Sequence, residues 1–421
     1  MISGIVNKSF IYKFFLGFIF LFIFRFGIHI PAPGVNVENF LSKLSNTDKS
    51  SMLSVMTTIS SGVFGSFSLL SLGVMPYILA SIMTQIVSYI YQEDKTQKKS
   101  KDSDFFTKLT RIFTLVFALI QSIMLFWSIK NKCSFFYCDV NLFLVYFLSF
   151  VSIIAGSMVT MWIGEVISEY SIGSGISMII FTNISFDFIS GILRVLSNSD
   201  GNQVLIISLL TILIFVMISI IVLCEKSARL VEVQYSSFNK SSVAVKNIKS
   251  SFIPMKLNFS GVMPMIFTMT LLTFLMSTLN SFVGSFDGSI DNVIFFILRN
   301  KIFYYSIYFC MIFGFALIYN GISFNVDRVT DSLRKSGGLI PGVKPGESTK
   351  SYFSKILSRL TLLGALYLFF VSIAVDSFKV ILNINNFVSG TSYLIITVIA
   401  LELISKYQIE LLSSKYNDYS L

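Results

Sequence analysis

The sequence predicts an all-α polytopic membrane protein with ten transmembrane helices in two inverted, pseudo-symmetric halves of five. Three observations carry that expectation. The 421 residues are 54% hydrophobic and 13% charged, with a mean hydropathy of +0.77, whereas a soluble chain has about 25% charged residues. Apolar stretches of the roughly 20 residues needed to cross about 30 Å of hydrocarbon follow one another with no long soluble domain between them. The tetrapeptide Gly-Val-Met-Pro occurs twice, from Gly73 and from Gly261, with five spans separating the copies.

The spans are expected at 14–30, 74–91, 112–129, 141–163, 176–195, 203–224, 261–282, 303–324, 356–375 and 391–412. The first begins like a signal peptide, with Lys8 and Lys13 before an apolar run, but Arg25, His29 and two prolines follow where a small-residue cleavage site would stand. It reads as a retained span. With a cytoplasmic N-terminus, and each residue assigned to its nearer side, 23 of the 32 Lys and Arg fall inside and nine outside. That bias follows the positive-inside rule. It places both termini in the cytoplasm and accounts for the net charge of +10 without nucleic acid. The four cysteines, Cys133, Cys138, Cys224 and Cys310, have no zinc-binding spacing, and only the first two share a predicted outer loop. No metal and no cofactor is expected.

Five is an odd number of crossings, so the second half starts from the opposite side of the membrane, as in the inverted repeats of transporters and channels. The halves are expected at 1–195 and 196–421. Each proline lacks a backbone N–H and favours the first turn of a helix, so the second and seventh spans should begin at or near their Gly-Val-Met-Pro. Around both breaks the side chains are apolar: Val74, Met75, Ile78, Met263 and Ile266. A solute transporter would need charged or strongly polar groups at mid-membrane, and Asp187 alone hardly supplies them. That acidic residue in the fifth span is expected to face water or to mark an earlier helix end. An apolar constriction can close to ions by dewetting while binding nothing that passes, which suits a cargo varying at every residue.

Three inner loops, 92–111, 225–259 and 325–355, are long and basic and read as docking surfaces. Gly337 to Gly342 has the glycine spacing of a phosphate-binding loop, but Val343 stands where its lysine belongs and prolines interrupt. Energy must therefore come from outside the chain, which is expected not to be an enzyme. The outer segment 31–72 ends in a small-residue stretch, 59–68, too short and too polar to span.

Several motifs run through the chain in order. Arg25-Phe-Gly-Ile-His-Ile-Pro-Ala-Pro-Gly-Val-Asn36 closes the first span, and Leu72-Gly-Val-Met-Pro-Tyr-Ile-Leu-Ala-Ser81 opens the second. Gly164-Glu-Val-Ile-Ser-Glu169 and Ile172-Gly-Ser-Gly-Ile-Ser177 lead into the fifth, and Phe259-Ser-Gly-Val-Met-Pro-Met-Ile-Phe267 opens the seventh. Lys335-Ser-Gly-Gly-Leu-Ile-Pro-Gly-Val-Lys-Pro-Gly-Glu347, continued by Arg359-Leu-Thr-Leu-Leu-Gly-Ala-Leu-Tyr367, is the most specific block, and Gly390-Thr-Ser-Tyr-Leu-Ile-Ile396 opens the tenth span. By these motifs the chain resembles the bacterial-type SecY family.

The resemblance implies an hourglass channel with an apolar pore ring of Val74, Ile78, Ile176, Ile180, Met263 and Ile395. Spacing independently puts Val74 with Ile78, and Ile176 with Ile180, on one helix face. Met263 stands where the family usually has Ile, keeping the ring apolar and making it more adaptable. The implied plug is Ile59, Ser60, Ser61, Gly62, Val63, Phe64, Gly65, Ser66, Phe67 and Ser68. The implied lateral gate includes Leu79, Gln85 and Leu271, with Gln85 either hydrogen-bonded across the closed gate or solvated. Motor and ribosome docking would fall to Arg334, Lys335, Lys344 and Glu347. Lys344 replaces the family's usual Arg, keeping the charge but losing the bidentate fork. The implied function is a translocon channel subunit that passes unfolded secretory proteins and releases transmembrane segments sideways. Its implied partners are SecE, SecA, ribosomes, preproteins, SecG and SecDF-type accessory proteins. A secondary transporter with inverted repeats and a decayed homologue acting only as scaffold are the alternatives.

Overall fold

A computed structural model describes residues 2–35, 68–93, 101–129, 142–171, 173–198, 203–235, 249–282, 300–381 and 390–419. The long helices are α1 (Ile2–Ile28), α2 (Met75–Glu93), α3 (Lys101–Ile129), α4 (Leu142–Tyr170), α5 (Gly175–Asn198), α6 (Gln203–Lys226), α7 (Met263–Phe282), α8 (Lys301–Ser323), α10 (Glu347–Ile381) and α11 (Gly390–Tyr419). A short helix, α9 (Val326–Lys335), and three strands, β1 (Ala228–Tyr235), β2 (Lys249–Lys256) and β3 (Gly338–Leu339), complete the described elements. The long helices run from 19 to 35 residues; at 1.5 Å per residue even the shortest nearly covers the hydrocarbon.

The helices bury hydroxyls and expose hydrocarbon. Along α1, Phe14, Phe18, Phe22 and Phe26 recur every fourth residue and stay 57 to 66% exposed, a stripe suited to lipid and not to water. Thr114, Ser149 and Thr160 are buried, and each returns its hydroxyl hydrogen bond to the carbonyl four residues earlier, at 2.7, 2.9 and 2.9 Å. Small hydroxyl residues at such interfaces let helices approach closely, without leaving a polar group unpaired in an apolar medium.

Each expected span falls on one long helix. Some helices continue past the apolar stretch: α3 starts at Lys101 and α10 at Glu347. Charge ends a hydrophobic run, but Lys and Glu are good helix formers. Helix α5 runs unbroken through Asp187 to Asn198, which overturns the earlier helix end considered there. Asp187 instead acts electrostatically on Arg25 of α1, whose guanidinium lies 4.3 Å from the Phe186 ring centroid. Arg25 is thus a cation held over an aromatic face, with an acidic residue near enough to act on it.

The described chain packs as two compact units, one of residues 1–194, 269–304 and 399–421, the other of 195–268 and 305–398. In the first, Ala32, Val35, Leu72, Ala118, Leu125, Val145 and Ile153 form a core cluster. Arg111 of α3 grips Glu165 of α4 with two nitrogens, at 3.2 and 2.9 Å. Lys13 of α1 meets Glu410 of α11 at 2.8 Å, so the early part of the chain lies beside its late part.

The second unit holds a small body that the sequence did not announce. Strand β1 pairs antiparallel with β2 and with β3, giving the order β2-β1-β3. The loops 225–259 and 325–355 are thus joined through one sheet. Along β1, Val231 and Val233 alternate inward and pack with Met255, Phe324, Leu333, Ile340, Phe353 and Ile356. Asn325 caps α9 by accepting from the Arg328 N–H at 3.1 Å, and Lys350 of α10 pairs with Asp327 at 2.6 Å. Leu333 lies against the packed face of Gly338, so Leu333→Ala should leave a cavity costing about 2–5 kcal/mol. We expect faster proteolysis within 325–355 of the purified variant, with the membrane helices protected as before.

Candidate functional site

Both Gly-Val-Met-Pro copies fold alike. Gly73 and Gly261 take φ of +54° and +62°, a left-handed turn that costs glycine no steric strain. The carbonyl of the next residue accepts the first helical bond, Ile78 N–H to Val74 at 3.0 Å and Ile266 N–H to Val262 at 3.1 Å. Helices α2 and α7 then start at Met75 and Met263. Pro76 and Pro264 follow in the first turn, where an N–H has no intrahelical partner to lose. The expected helix starts are therefore present in both copies.

Close contacts extend the repeat beyond the tetrapeptide. A Cβ on Gly156 of α4 would meet the Leu69 carbonyl oxygen at 1.9 Å, and one on Gly364 of α10 the Leu257 oxygen at 3.0 Å. Leu69 and Leu257 each stand four residues before their break glycine. Likewise Gly175, opening α5, abuts the Gly164 carbonyl and Ile167, and Gly390, opening α11, abuts the Ser372 carbonyl and Val375. At one constant spacing, Gly156, Gly164 and Ile167 of α4 map onto Gly364, Ser372 and Val375 of α10. The fourth and fifth spans of each half pack by the same rule.

Of the six ring candidates, Val74, Ile78 and Ile395 are buried, and Ile176, Ile180 and Met263 are half-buried. The first unit holds Val74, Ile78, Ile176 and Ile180; the second holds Met263 and Ile395. Val74 and Met263 are not repeat equivalents, because Val262 occupies the position matching Val74. Among the gate candidates, Leu79 is buried and Gln85 and Leu271 are half-buried. Near Leu271, Phe274 of α7 meets Phe117 of α3 edge-on at 6.4 Å. Thr110 donates to Thr84 across α3 and α2 at 3.3 Å, a polar link that sequence reasoning missed because threonine is ordinary in such helices.

Plug candidates Ile59 to Phe67 lie outside the described residues, as do Cys133 and Cys138. Ser68 is buried and bridges Pro31, and the Leu69 N–H donates to the Ile30 carbonyl at 2.9 Å. The segment entering α2 is thereby tied to the end of α1.

The docking candidates Arg334, Lys335, Lys344 and Glu347 are all exposed. Lys344 and Glu347 border an open cavity of about 520 Å³, with Ser348, Ser351, Tyr352 and Lys355 on its wall. Thr349 fixes this turn by donating to the Lys344 carbonyl at 3.0 Å. The glycines at 337–342 form a turn and strand β3, so this stretch does not lead directly into a helix N-terminus as a phosphate loop does. Among the described residues no cluster of metal-ligating side chains occurs.

Comparisons with known proteins agree with this architecture. Residues 68–404 match the family described as SecY. The protein translocase subunit SecY of Buchnera aphidicola subsp. Schizaphis graminum (strain Sg) is 32% identical over 402 residues, covering 94% of this chain and 91% of that protein. Its namesake in Escherichia coli (strain K12) is 31% identical over 402 residues, covering 94% and 90%. Among solved structures, one of a protein conducting channel has a TM-score of 0.66 at 14% identity, covering 96% of this chain and 93% of that one. Sec61 in a canine ribosome-channel complex from the endoplasmic reticulum has a TM-score of 0.62 at 15% identity, covering 96% and 93%. At those identities the structures bear on the fold, while the family match and the translocase subunits span nearly the whole sequence: this chain belongs to the SecY family.

Proposed function

We propose that this chain is the central channel subunit of a Sec translocon, passing unfolded secretory proteins across the membrane and releasing apolar segments sideways into lipid. The observation that carries the reading is the pair of equivalent breaks at Gly73 and Gly261, each starting an apolar helix. Val74, Ile78, Ile176, Ile180, Met263 and Ile395 form the seal, and the halves 1–195 and 196–421 part between α2 and α7, at Leu79, Gln85 and Leu271. A helix preceded by a glycine turn and carrying a proline in its first turn has few backbone bonds to its preceding segment, so it can tilt without unfolding.

The chain supplies the path and its partners supply the energy. SecA and the ribosome dock on the body formed by β1–β3, α9 and the turn at Lys344, and SecE clamps the two halves. SecG and SecDF-type proteins are accessory. The membrane is a cell inner membrane with both termini cytoplasmic, a reading supported by the Lys and Arg bias and by the Lys13–Glu410 pair. Reconstitution with SecE, SecA and a preprotein tests the function. Precursor should become protected from external protease, and a precursor left exposed while the partners are demonstrably active would overturn it. Deleting 59–68 should ease opening, so that precursors with weakened signals move more readily; an unchanged signal requirement would remove the plug.

A further inference from the structure

We propose that Glu225 is a positioning residue for gate opening: through Asn258 it holds the Gly261 break and sets how readily α7 leaves its closed position. This rests on the channel function proposed above. Glu225 lies in the last turn of α6, where its Oε1 accepts from Asn258 Nδ2 at 2.7 Å. The same Nδ2 donates to the Gly261 carbonyl at 2.8 Å, and Asn258 Oδ1 accepts from Ser260 Oγ at 3.1 Å. Tyr367 of α10 brings its hydroxyl to 3.5 Å from the same Glu225 oxygen. Asn258, Ser260 and Tyr367 are all buried, so the network works where water competes little and charge-assisted hydrogen bonds are strong.

Gly261 is the joint at which α7 departs. Nothing lies within 4 Å of the position its Cβ would take, so no side chain presses on Gly261 itself, although its neighbours Ser260 and Val262 are buried. The hydrogen bond to its carbonyl is a direct polar tie on the joint. On the other side of the joint, Leu257 is held by its N–H to the Ser227 carbonyl at 3.0 Å and by the close approach of Gly364, one turn before Tyr367 on α10. The segment before α7 is therefore seated on α10, and the Asn258 amide, steered by the Glu225 carboxylate, ties it to the helix start at Gly261.

The first break is held differently. Asn258 stands three residues before Gly261, and the residue three before Gly73 is Leu70, which packs against Gly27 of α1. Two breaks with the same backbone thus carry different ties, hydrocarbon at one and a buried carboxylate at the other. The polar tie can be weakened with little change of shape, because Glu225→Gln keeps the length and one acceptor oxygen while it removes the charge and turns the other oxygen into an NH2 donor.

The test uses the channel complex in vesicles driven by SecA, with one precursor carrying an intact signal and the same precursor carrying a charged residue in its signal. Glu225→Gln should raise transport of the defective precursor relative to the intact one by about fivefold, the margin of a charged over a neutral hydrogen bond. Tyr367→Phe should shift the ratio the same way by less, and it decides the matter if Glu225→Gln fails to accumulate. An unchanged ratio, or an equal fall for both precursors, overturns the positioning role. A wild-type complex that moves neither precursor overturns the channel function instead.

Discussion

Replacing both Ile78 and Ile180 with Asn should raise the ion conductance of the resting channel about tenfold or more, the change in flux for a barrier lowered by about 1.4 kcal/mol. An apolar constriction excludes ions because water inside it finds no hydrogen-bond partners and an ion entering it must shed solvent. Each asparagine brings two N–H donors and a carbonyl acceptor, enough to hold a water and begin a wet column. Ile78 is buried near the start of α2, and Ile180 is half-buried early in α5. Neither replacement removes a backbone bond or adds much volume, so the helices should still form. Conductance is measured across planar bilayers without precursor or motor. Background leak from a well-incorporated double variant would remove both residues from the seal.

How much of this was legible in the sequence depends on the kind of signal each feature leaves. Ten spans showed because a lipid-crossing helix must be apolar over its whole length, and helix starts at Met75 and Met263 showed because Gly and Pro are specific there. The repeat surfaced in one tetrapeptide alone. The contacts of Gly156 with Leu69 and Gly364 with Leu257 were hidden, since two glycines among 24 carry no mark of the carbonyl they meet. The sheet was missed for a related reason. Strands β1 and β2 lie in loops chosen for their charge, and only Val231 and Val233 show the inward alternation, too short a run to stand out. Glu225 looked like the polar end of a span, and nothing in its neighbours announced that Asn258, 33 residues on, would turn back to it. Asp187 was conspicuous as a charge in lipid, yet its relation to Arg25 required the approach of α1 to α5.

The steric contrast between the two halves yields the second large effect. Gly156→Ala should destabilise the protein by about 2 kcal/mol, an overpacking cost of about 3 kcal/mol less about 1 kcal/mol of helix propensity, whereas at Gly364 the two effects are each about 1 kcal/mol and alanine should be near neutral. A Cβ on Gly156 would lie 1.9 Å from the Leu69 oxygen and 2.8 Å from its carbon, so backbone must move. Leu69 cannot easily retreat, because its N–H is bonded to Ile30 and Leu70 is packed on Gly27. The displacement would pass into the turn at Gly73 and the start of α2. At Gly364 the corresponding distance of 3.0 Å asks for a shift of only a few tenths of an ångström. Gly314 of α8 has nothing within 4 Å of its Cβ position, and there alanine should be neutral or gain up to about 1 kcal/mol from helix propensity. Thermal unfolding of the three purified variants in detergent would rank them, with Gly156→Ala lowest and Gly314→Ala highest. A Gly156→Ala protein as stable as the Gly314 variant would mean that α4 does not press on the segment entering α2, and the packing rule shared by the two halves would lose its stronger member.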